Sequence, residues 1–197
     1  KFRATRDARR VCGDALEMRG GIGYIEEFAT ARLLRDAHLG SIWEGTGNIV
    51  AIDALTRAVG RHGAESALAA DLHARLDDSA NVPQAWRSRL HDLTDRAVGF
   101  AREVASRSDN EADARRATSL LYHVASAVAL AWEGGRIHEM RGDAKRLLLS
   151  RMVIDHRVTP SDPFRLTENA TQRAISEYLL GERAVAMTEV GELLAAA

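Results

Sequence analysis

The chain has 197 residues, of which 46% are hydrophobic, enough to bury the core of one helical domain or of two small ones. Its 27 basic and 28 acidic side chains leave a formal net charge of -1, so the overall charge offers no electrostatic footprint for nucleic acid or anionic lipid. No apolar run reaches the roughly 20 residues that a membrane span needs, so nothing in the sequence predicts an integral membrane protein.

The start of the chain and its cysteine give two further expectations. Lys1 opens a stretch that already has the pattern of the middle of an amphipathic helix, which indicates a piece of a larger protein rather than a targeting signal. Cys12 is the only cysteine and lies at helical spacing among Val11, Ala15 and Leu16. We therefore expect a buried cysteine with a packing role and a reducing, cytoplasmic compartment.

In the first 60 residues, apolar side chains recur at helical spacing between glycine-rich breaks. The helices predicted there cover residues 2–19, 31–38 and 48–60, and the predicted loops include 22–24 and 42–47. Two successive glycines, Gly20 and Gly21, supply the backbone freedom that a helix end needs. Thr30 and Asn48 are predicted to cap the second and third helices.

Beyond residue 60 the pattern stays helical and no strand is predicted, so the fold class is all-α. The predicted helices cover 65–76, 84–106, 112–139, 144–157 and 166–180, with breaks at 79–83, 108–110, 141–143 and 159–163. Trp86 and Trp132 have the spacing of core anchors. The three leucines at 147–149 form an apolar face wide enough to predict packing on another domain or subunit, and the tail at 182–197 is expected to fray.

Glu44 differs from the other acidic residues in its surroundings. It lies in the predicted loop 42–47, after the aromatic Trp43 and before the sequence Gly-Thr-Gly. An aromatic wall lowers the local dielectric and makes a carboxylate a stronger base, and glycines let a ligand approach the backbone. These features suit a general base, whereas the alternative is a solvated carboxylate that caps the start of a helix.

Three blocks of the sequence follow one another in a specific order and spacing. They read Glu-Met-Arg-Gly-Gly-Ile-Gly-Tyr at 17–24, Leu-Arg-Asp-Ala at 34–37 and Ile-Trp-Glu-Gly-Thr at 42–46. The set resembles consecutive blocks of the acyl-CoA dehydrogenase family and covers about residues 1–60. The glycine run follows a helix rather than a strand, so it is not a Rossmann fingerprint. The resemblance implies the end of the family's C-terminal four-helix bundle in 1–60, followed by an extra helical subdomain in 61–197.

The resemblance assigns the chemistry to the loop. Glu44 is expected to remove the α-proton of an acyl-CoA thioester while hydride leaves the β-carbon for the N5 atom of FAD, which gives a trans-2-enoyl thioester. Because this proton is only weakly acidic, a desolvated carboxylate within hydrogen-bond reach suits it better than a solvated one. The backbone N–H of Glu44 would help to polarise the thioester carbonyl. Trp43 is expected to line the pocket beside the flavin, and Gly45 to leave room for the acyl chain.

The same resemblance implies contacts with FAD. Thr46 and Asn48 match positions that contact the cofactor, although Asn48 is shorter than the glutamine common there. Gly20 and Gly21 match a loop that touches the adenosine-diphosphate part of FAD bound to a neighbouring subunit. Glu17 stands where the family usually has glutamine, and a carboxylate repels a pyrophosphate. Glu17 therefore either turns away or marks altered cofactor binding.

The whole protein is thus expected to be an FAD-dependent acyl-CoA dehydrogenase. The resemblance implies an electron-transfer flavoprotein as the electron acceptor and a homo-oligomer, either a dimer or a tetramer. The fragment alone is expected to be inactive, because the family's N-terminal helical and middle β domains hold most of the flavin and substrate.

The extension beyond residue 60 raises an alternative function. It resembles the extra helical subdomain of the alkylation-response branch of the family, and more loosely the tail of very-long-chain enzymes. In this alternative the fold serves DNA binding, DNA protection or scaffolding, with only residual dehydrogenase activity. The 20 acidic against 18 basic residues after residue 60 oppose a strong phosphate-tracking surface.

A metal site is not predicted. The candidate ligands are His123, Glu133, His138 and Glu139, which lack a pair of histidines at i and i+4 with a glutamate between them. Exposed polarity on a helix explains their spacing.

Overall fold

A computed structural model of the chain describes residues 1–107, 109, 111–160, 164 and 170–195. Its helices are α1 (Phe2–Met18), α2 (Gly21–Tyr24), α3 (Ala29–Gly40), α4 (Gly47–Asp53), α5 (Ala64–Asp77), α6 (Gln84–Ser106), α7 (Glu111–Arg141), α8 (Lys145–Arg157), α9 (Ala170–Leu180) and α10 (Met187–Ala195). A π-helical segment, Ala54–Val59, continues α4. The described residues form no strand, which confirms the all-α prediction. None of the described helices combines the length and the apolarity of a membrane span.

The chain divides into two compact units. Unit 1 consists of Lys1–His62 and Arg102–Ser119, and unit 2 of Gly63–Ala101 and Leu120–Ala197. The domain limits inferred from the sequence, 1–60 and 61–197, remain a prediction. Unit 1 differs from the first of these domains because it also takes in residues 102–119.

Unit 2 is built around one hydrophobic core to which α5, α6, α7, α8, α9 and α10 all contribute. Trp86 of α6 is its largest fully buried side chain, with 2% of its surface exposed. The indole Nε1 of Trp86 donates a hydrogen bond to Ser150 Oγ at 3.2 Å, and that hydroxyl donates to the carbonyl oxygen of Ala127 at 2.8 Å. Because buried polar groups cost free energy unless they are hydrogen-bonded, this chain of contacts lets polar atoms join three helices inside the core.

Trp132 was predicted to be a core anchor, and this prediction was wrong. Its side chain is half-buried. The guanidinium carbons of Arg75 and Arg136 lie 4.9 and 4.6 Å from the centre of its ring system, and its Nε1 donates to Asp78 Oδ2 at 3.3 Å. Trp132 therefore joins α5 and α7 through cation–π contacts at the surface rather than through core packing.

Three further packing predictions were wrong. Leu147 and Leu148 are fully buried in the core of unit 2 and only Leu149 is exposed, at 37%, so the leucine triplet leaves no wide face for another domain. The tail does not simply fray, since α10 forms and buries Val190 and Leu194 in the same core. Cys12 is partly exposed rather than buried. Burial depends on which helix faces meet, and neighbouring residues along the chain do not specify this.

The helix boundaries follow the predictions closely in the long segments and less well around the glycines. The helix predicted over 84–106 is confirmed as α6. The predicted loop 22–24 is wrong, because these residues belong to the helical turn α2. Thr30 and Asn48 lie inside α3 and α4 rather than at their caps, which are Phe28 and Thr46. Parts of the predicted breaks 108–110 and 159–163, and the start of the predicted helix 166–180, fall outside the described residues.

Glu189 fixes the start of α10. Its carboxylate accepts hydrogen bonds from the guanidinium of Arg183 at 2.7 Å, the hydroxyl of Tyr178 at 3.1 Å and the backbone N–H of Ala186 at 3.1 Å. The bonds from Arg183 and then from Ala186 and Tyr178 lower the pKa of Glu189 from 4.5 to about 2. The side chain thereby caps α10 and ties it to α9 and to the segment between them.

The Glu189→Gln variant is expected to lose stability in a pH-dependent way. A carboxylate with a depressed pKa stabilises the folded state fully above its unfolded pKa of 4.5, and this contribution disappears as the pH falls towards 2. Amide exchange of residues 183–195 should therefore be faster in the variant at pH 7, with the difference shrinking between pH 4.5 and 2. Glu192→Gln, at an exposed position of the same helix, is the control and should change little. An equal difference at pH 7 and pH 2 would contradict the assignment.

Candidate functional site

The loop that carries the predicted base is fixed at both ends by helices of unit 1. At its start, the backbone N–H groups of Ile42 and Trp43 donate to the carbonyl oxygen of Leu39 at 3.0 and 2.9 Å, so the last turn of α3 continues into the loop. At its end, Lys1 Nζ donates to the carbonyl oxygen of Gly45 at 3.1 Å. The start of α1 thus holds the loop in which Trp43, Gly45 and the predicted base occur.

Glu44 has an unusual backbone conformation. Its φ is 57°, and among the described residues it is the one non-glycine residue with a positive φ. The left-handed region costs an L-residue roughly 1–2 kcal/mol, because Cβ approaches the following carbonyl oxygen. Gly45 continues the reversal with a φ of 99°, which only glycine adopts readily. The chain turns sharply at these two residues and enters α4 at Gly47.

The surroundings of Glu44 differ from the expectation drawn from the sequence. Its side chain is exposed, and among the described residues its carboxylate has no hydrogen-bond or ion-pair partner. Trp43 is 64% exposed and supplies no enclosing wall. The described part of the chain therefore does not desolvate this carboxylate, which keeps its whole capacity as a hydrogen-bond acceptor for another molecule.

Thr46 and Asn48, predicted to contact FAD, lie directly beside this loop. Thr46 is the N-cap residue of α4, and Asn48 is in its first turn; both are exposed. Five of the predicted site residues thus lie in one short segment, 43–48.

Glu17, Gly20 and Gly21 lie at the other end of α1. All three are exposed, and Gly20 has a φ of 59° between α1 and α2. A Cβ added to Gly20 or Gly21 would meet no atom within 4 Å, so the backbone here is open to approach. From Phe2 to Glu17 the axis of α1 extends roughly 22 Å at 1.5 Å per residue. The structure does not bring this group and the loop 43–48 together within the chain.

The segment that contains both groups of predicted site residues is similar to known proteins. Residues 1–75 match the C-terminal domain of the acyl-CoA dehydrogenases. A segment of 55 residues, 28% of this chain, is 44% identical to putative acyl-CoA dehydrogenase AidB of Escherichia coli, where it covers 10% of the protein. Residues 1–75 therefore resemble the C-terminal domain of the acyl-CoA dehydrogenase family, and the match covers 75 of the 197 residues.

Two other relatives extend the comparison. Acyl-CoA dehydrogenase family member 11 of Caenorhabditis elegans is 23% identical over 164 residues, which are 83% of this chain and 27% of that protein. The caffeyl-CoA reductase-Etf complex subunit CarC of Acetobacterium woodii is 37% identical over 49 residues, 25% of this chain and 13% of the subunit. The chain thus spans between 10% and 27% of the length of these relatives. No solved structure matches it.

The family segment leaves much of its apolar surface uncovered. Eleven of the sixteen large hydrophobic residues that are exposed among the described residues lie between Val11 and Ile49. The segment has fewer buried large hydrophobic side chains than exposed ones, and the buried ones include Phe2, Leu55 and Val59. An apolar surface of this extent is typical of a face that packs on further protein.

Two contacts position the family blocks and were not predicted from the sequence. Arg35, in the block 34–37, donates to both carboxylate oxygens of Glu26 at 2.6 and 3.0 Å, and this pairing lowers the pKa of Glu26. The ring of Phe2 is in van der Waals range of a Cβ added at Gly47, 3.4 Å from Cε2. In the sequence, the first contact corresponds to an acidic residue nine positions before an arginine, and the second to a single aromatic residue in a polar helix. Both patterns are too common to predict a contact.

The candidate metal ligands remain scattered. Glu133 pairs with Arg146 at 3.1 Å, and the ring of His123 packs edge-on against Tyr122. Within the described residues no three His, Cys, Asp or Glu side chains are grouped to hold a metal ion.

Gly23→Ala should destabilise unit 1 at the turn that carries Gly20 and Gly21. A Cβ at Gly23 would overlap the backbone carbonyl oxygen of Leu16 and lie 3.0 Å from its carbonyl carbon, so α2 would have to move away from α1. We expect a loss of about 1–3 kcal/mol, the usual cost of overpacking. Amide exchange in α1 and α2 measures it.

The neighbouring Gly21→Ala variant is the matched control for this substitution. A Cβ at Gly21 meets nothing within 4 Å and its φ is negative, so its stability should stay close to that of the parent. Equal exchange rates in the two variants would show that the close approach at Gly23 is unimportant.

Proposed function

We propose that the chain is the C-terminal part of an FAD-dependent acyl-CoA dehydrogenase in which Glu44 removes the α-proton of an acyl-CoA thioester. The observation that carries the proposal is the left-handed backbone of Glu44. Glycine or asparagine would adopt this conformation at less cost, and strain of this kind concentrates at functional sites. The strain therefore supports a chemical role for the carboxylate rather than a helix-capping role.

The free carboxylate supports the same role. A general base needs an oxygen within hydrogen-bond reach of the proton that it removes, and Glu44 has no internal partner that would compete for it among the described residues. In the proposed reaction the carboxylate takes the α-proton, and the substrate also loses a hydride from its β-carbon. Bound FAD supplies the acceptor for this hydride. The backbone N–H of Glu44 would donate to the thioester oxygen and stabilise the charge that develops there.

The residues predicted to hold FAD fit a cofactor with a diphosphate. Gly20 and Gly21 present open backbone, and Thr46 and Asn48 are exposed beside the loop. Glu17 is the residue that fits less well, since its carboxylate would repel a diphosphate at close range. We infer that Glu17 faces away from the phosphates when the cofactor is bound.

The low-dielectric surroundings of the base would come from protein outside this chain. Trp43 and the neighbouring apolar side chains are exposed here, and covering them would exclude water from the carboxylate. The roughly 22 Å of α1 between the two groups of site residues supports contact with two different FAD molecules, and hence a homodimer or homotetramer. We further propose an electron-transfer flavoprotein as the electron acceptor, in agreement with the name of the Etf-complex relative, and a cytoplasmic location.

The test of this function uses the whole protein that contains the chain, loaded with FAD. It is mixed with acyl-CoA thioesters of short, medium, long and branched chains, and flavin reduction is followed as bleaching of the visible absorbance. Rapid bleaching with at least one thioester is the expected result. Bound FAD that no thioester bleaches would overturn the proposal.

A further inference from the structure

A basic cleft lies between α1 and α3 and includes none of the residues assigned to the reaction. Its volume is about 320 Å³, and it is lined by Arg6, Arg9, Arg10, Gly13, Leu34 and His38. No lining residue is acidic. The arginines follow one another at helical spacing i, i+3 and i+4, which brings their side chains to one face of α1.

The guanidinium groups of the cleft are poorly compensated. Arg6 has no hydrogen bond or ion pair with any described residue and only lies over the ring of Phe2, with 5.9 Å from its Cζ to the ring centroid. The one hydrogen bond of Arg9 goes to the neutral Ser41 Oγ at 3.2 Å. The distance from Arg10 Nε to Asp14 Oδ2 is 3.7 Å, which is long for an ion pair.

The nearest acid on the same helix is already engaged. Asp7 accepts a hydrogen bond from Arg3 at 2.5 Å, and its charge offsets only a small part of the repulsion on Arg6. Partial burial and then the like charges of Arg115, Arg3 and Arg9 lower the pKa of Arg6. A guanidinium does not lose its proton at neutral pH, so the folded chain retains this repulsion until an anion relieves it.

We infer that this arginine cleft binds the diphosphate group of a small molecule. Planar guanidinium forks match phosphate oxygens in pairs, and several fixed positive charges favour an anion with two or three negative charges. The volume of about 320 Å³ lies at the lower end of small-molecule sites. The diphosphate could be free or part of a nucleotide, and both share this chemistry.

The inference is tested by calorimetric titration of the 197-residue chain with pyrophosphate, ADP and adenosine at low and high salt. Saturable binding of pyrophosphate that weakens with salt is expected, and adenosine should not bind. Tighter binding of ADP than of pyrophosphate would support a nucleotide as the source, and equal binding would support the diphosphate group alone. A chain that does not bind pyrophosphate saturably would overturn the inference.

Two substitutions locate the binding site. Arg6→Gln and Arg9→Gln should each weaken pyrophosphate binding by about 10-fold or more, as expected for loss of one charge-assisted bond. The matched control is Arg57→Gln, which removes the same charge from an arginine of unit 1 that is already paired with Asp53 at 2.7 and 2.9 Å. It should bind like the parent. Equal weakening in the three variants, or stronger binding of a DNA duplex than of pyrophosphate, would exclude a specific small-molecule site.

This test is independent of the dehydrogenase proposal. Pyrophosphate binding requires neither FAD nor the carboxylate of Glu44. Pyrophosphate binding can therefore fail while flavin reduction succeeds, and flavin reduction can fail while pyrophosphate binds. Circular dichroism of each variant shows whether its helices are intact. If Arg6→Gln does not fold, Arg9→Gln supplies the second measurement of the same site.

Discussion

Glu44→Gln in the whole FAD-loaded protein should slow flavin reduction by an acyl-CoA thioester by about 10²- to 10⁴-fold, the contribution of a general base. Glutamine has nearly the same size and keeps the backbone N–H, but its amide does not accept the α-proton at neutral pH. The left-handed backbone at this position is equally strained with either side chain. The rate of flavin bleaching after rapid mixing measures this effect. The parent and the variant are expected to be similarly stable.

Two control variants separate the chemistry from the conformation. Glu192→Gln makes the same chemical change at an exposed position of α10, outside the predicted site, and should leave the rate of hydride transfer unchanged. Glu44→Gly should relieve about 1–2 kcal/mol of strain and lose about 0.5–1 kcal/mol through chain entropy, so it should be inactive without being less stable. A Glu44→Gln protein that bleaches at the parent rate would falsify the assignment of the base.

Trp86→Ala is expected to lower the free energy of unfolding by about 3–5 kcal/mol, the usual cost of removing a buried tryptophan. The substitution empties the centre of the core of unit 2, where α6 packs on α7 and α8 through the hydrogen bonds of Ser150. Urea unfolding of the parent and the variant, followed by far-UV circular dichroism, measures the loss.

Trp132→Ala is the matched control, since it removes the same side chain from a half-buried position on α7. It loses two cation–π contacts and a hydrogen bond to Asp78, for which we expect about 1–2 kcal/mol. If the two tryptophan variants were equally destabilised, burial in the core would not be the reason for the importance of Trp86.

The apolar surface between Val11 and Ile49 has a consequence for any study of the chain alone. Exposed apolar area favours association, because its removal from water is favourable by roughly 25 cal/mol per Å². Self-association of the isolated chain would cover side chains such as Trp43 that, in the proposed whole protein, enclose the base. Oligomers of the isolated chain are therefore poor guides to the assembly of the proposed enzyme.

The sequence by itself determined the long helices and the position of the candidate loop. The helix over 84–106 follows from apolar periodicity and from the proline before it, which are properties of residues close along the chain. The loop around Glu44 follows from its flanking glycines, and the resemblance to the acyl-CoA dehydrogenase family follows from three short blocks in a fixed order. These features were predictable because each depends on local backbone preference or on a contiguous motif.

Only the tertiary structure decided which faces are buried and which charges meet. Trp86 and Trp132 have similar periodicity, yet one lies in the core and the other under two arginines. The tail becomes α10 because Val190 and Leu194 find a core to enter, and most helical stability comes from such packing rather than from propensity.

The site shows the same division. The sequence placed Glu44 in a loop and Glu17, Gly20 and Gly21 at the end of the first helix, but the positive φ of Glu44 is a property that only the folded chain shows. The arginine cleft also depends on Leu34 and His38 of α3, and the like charge of Arg115, more than a hundred residues distant in sequence, lowers the pKa of Arg6. Local patterns determine which elements form, whereas burial, strain and the clustering of charge arise only when distant residues are packed against one another.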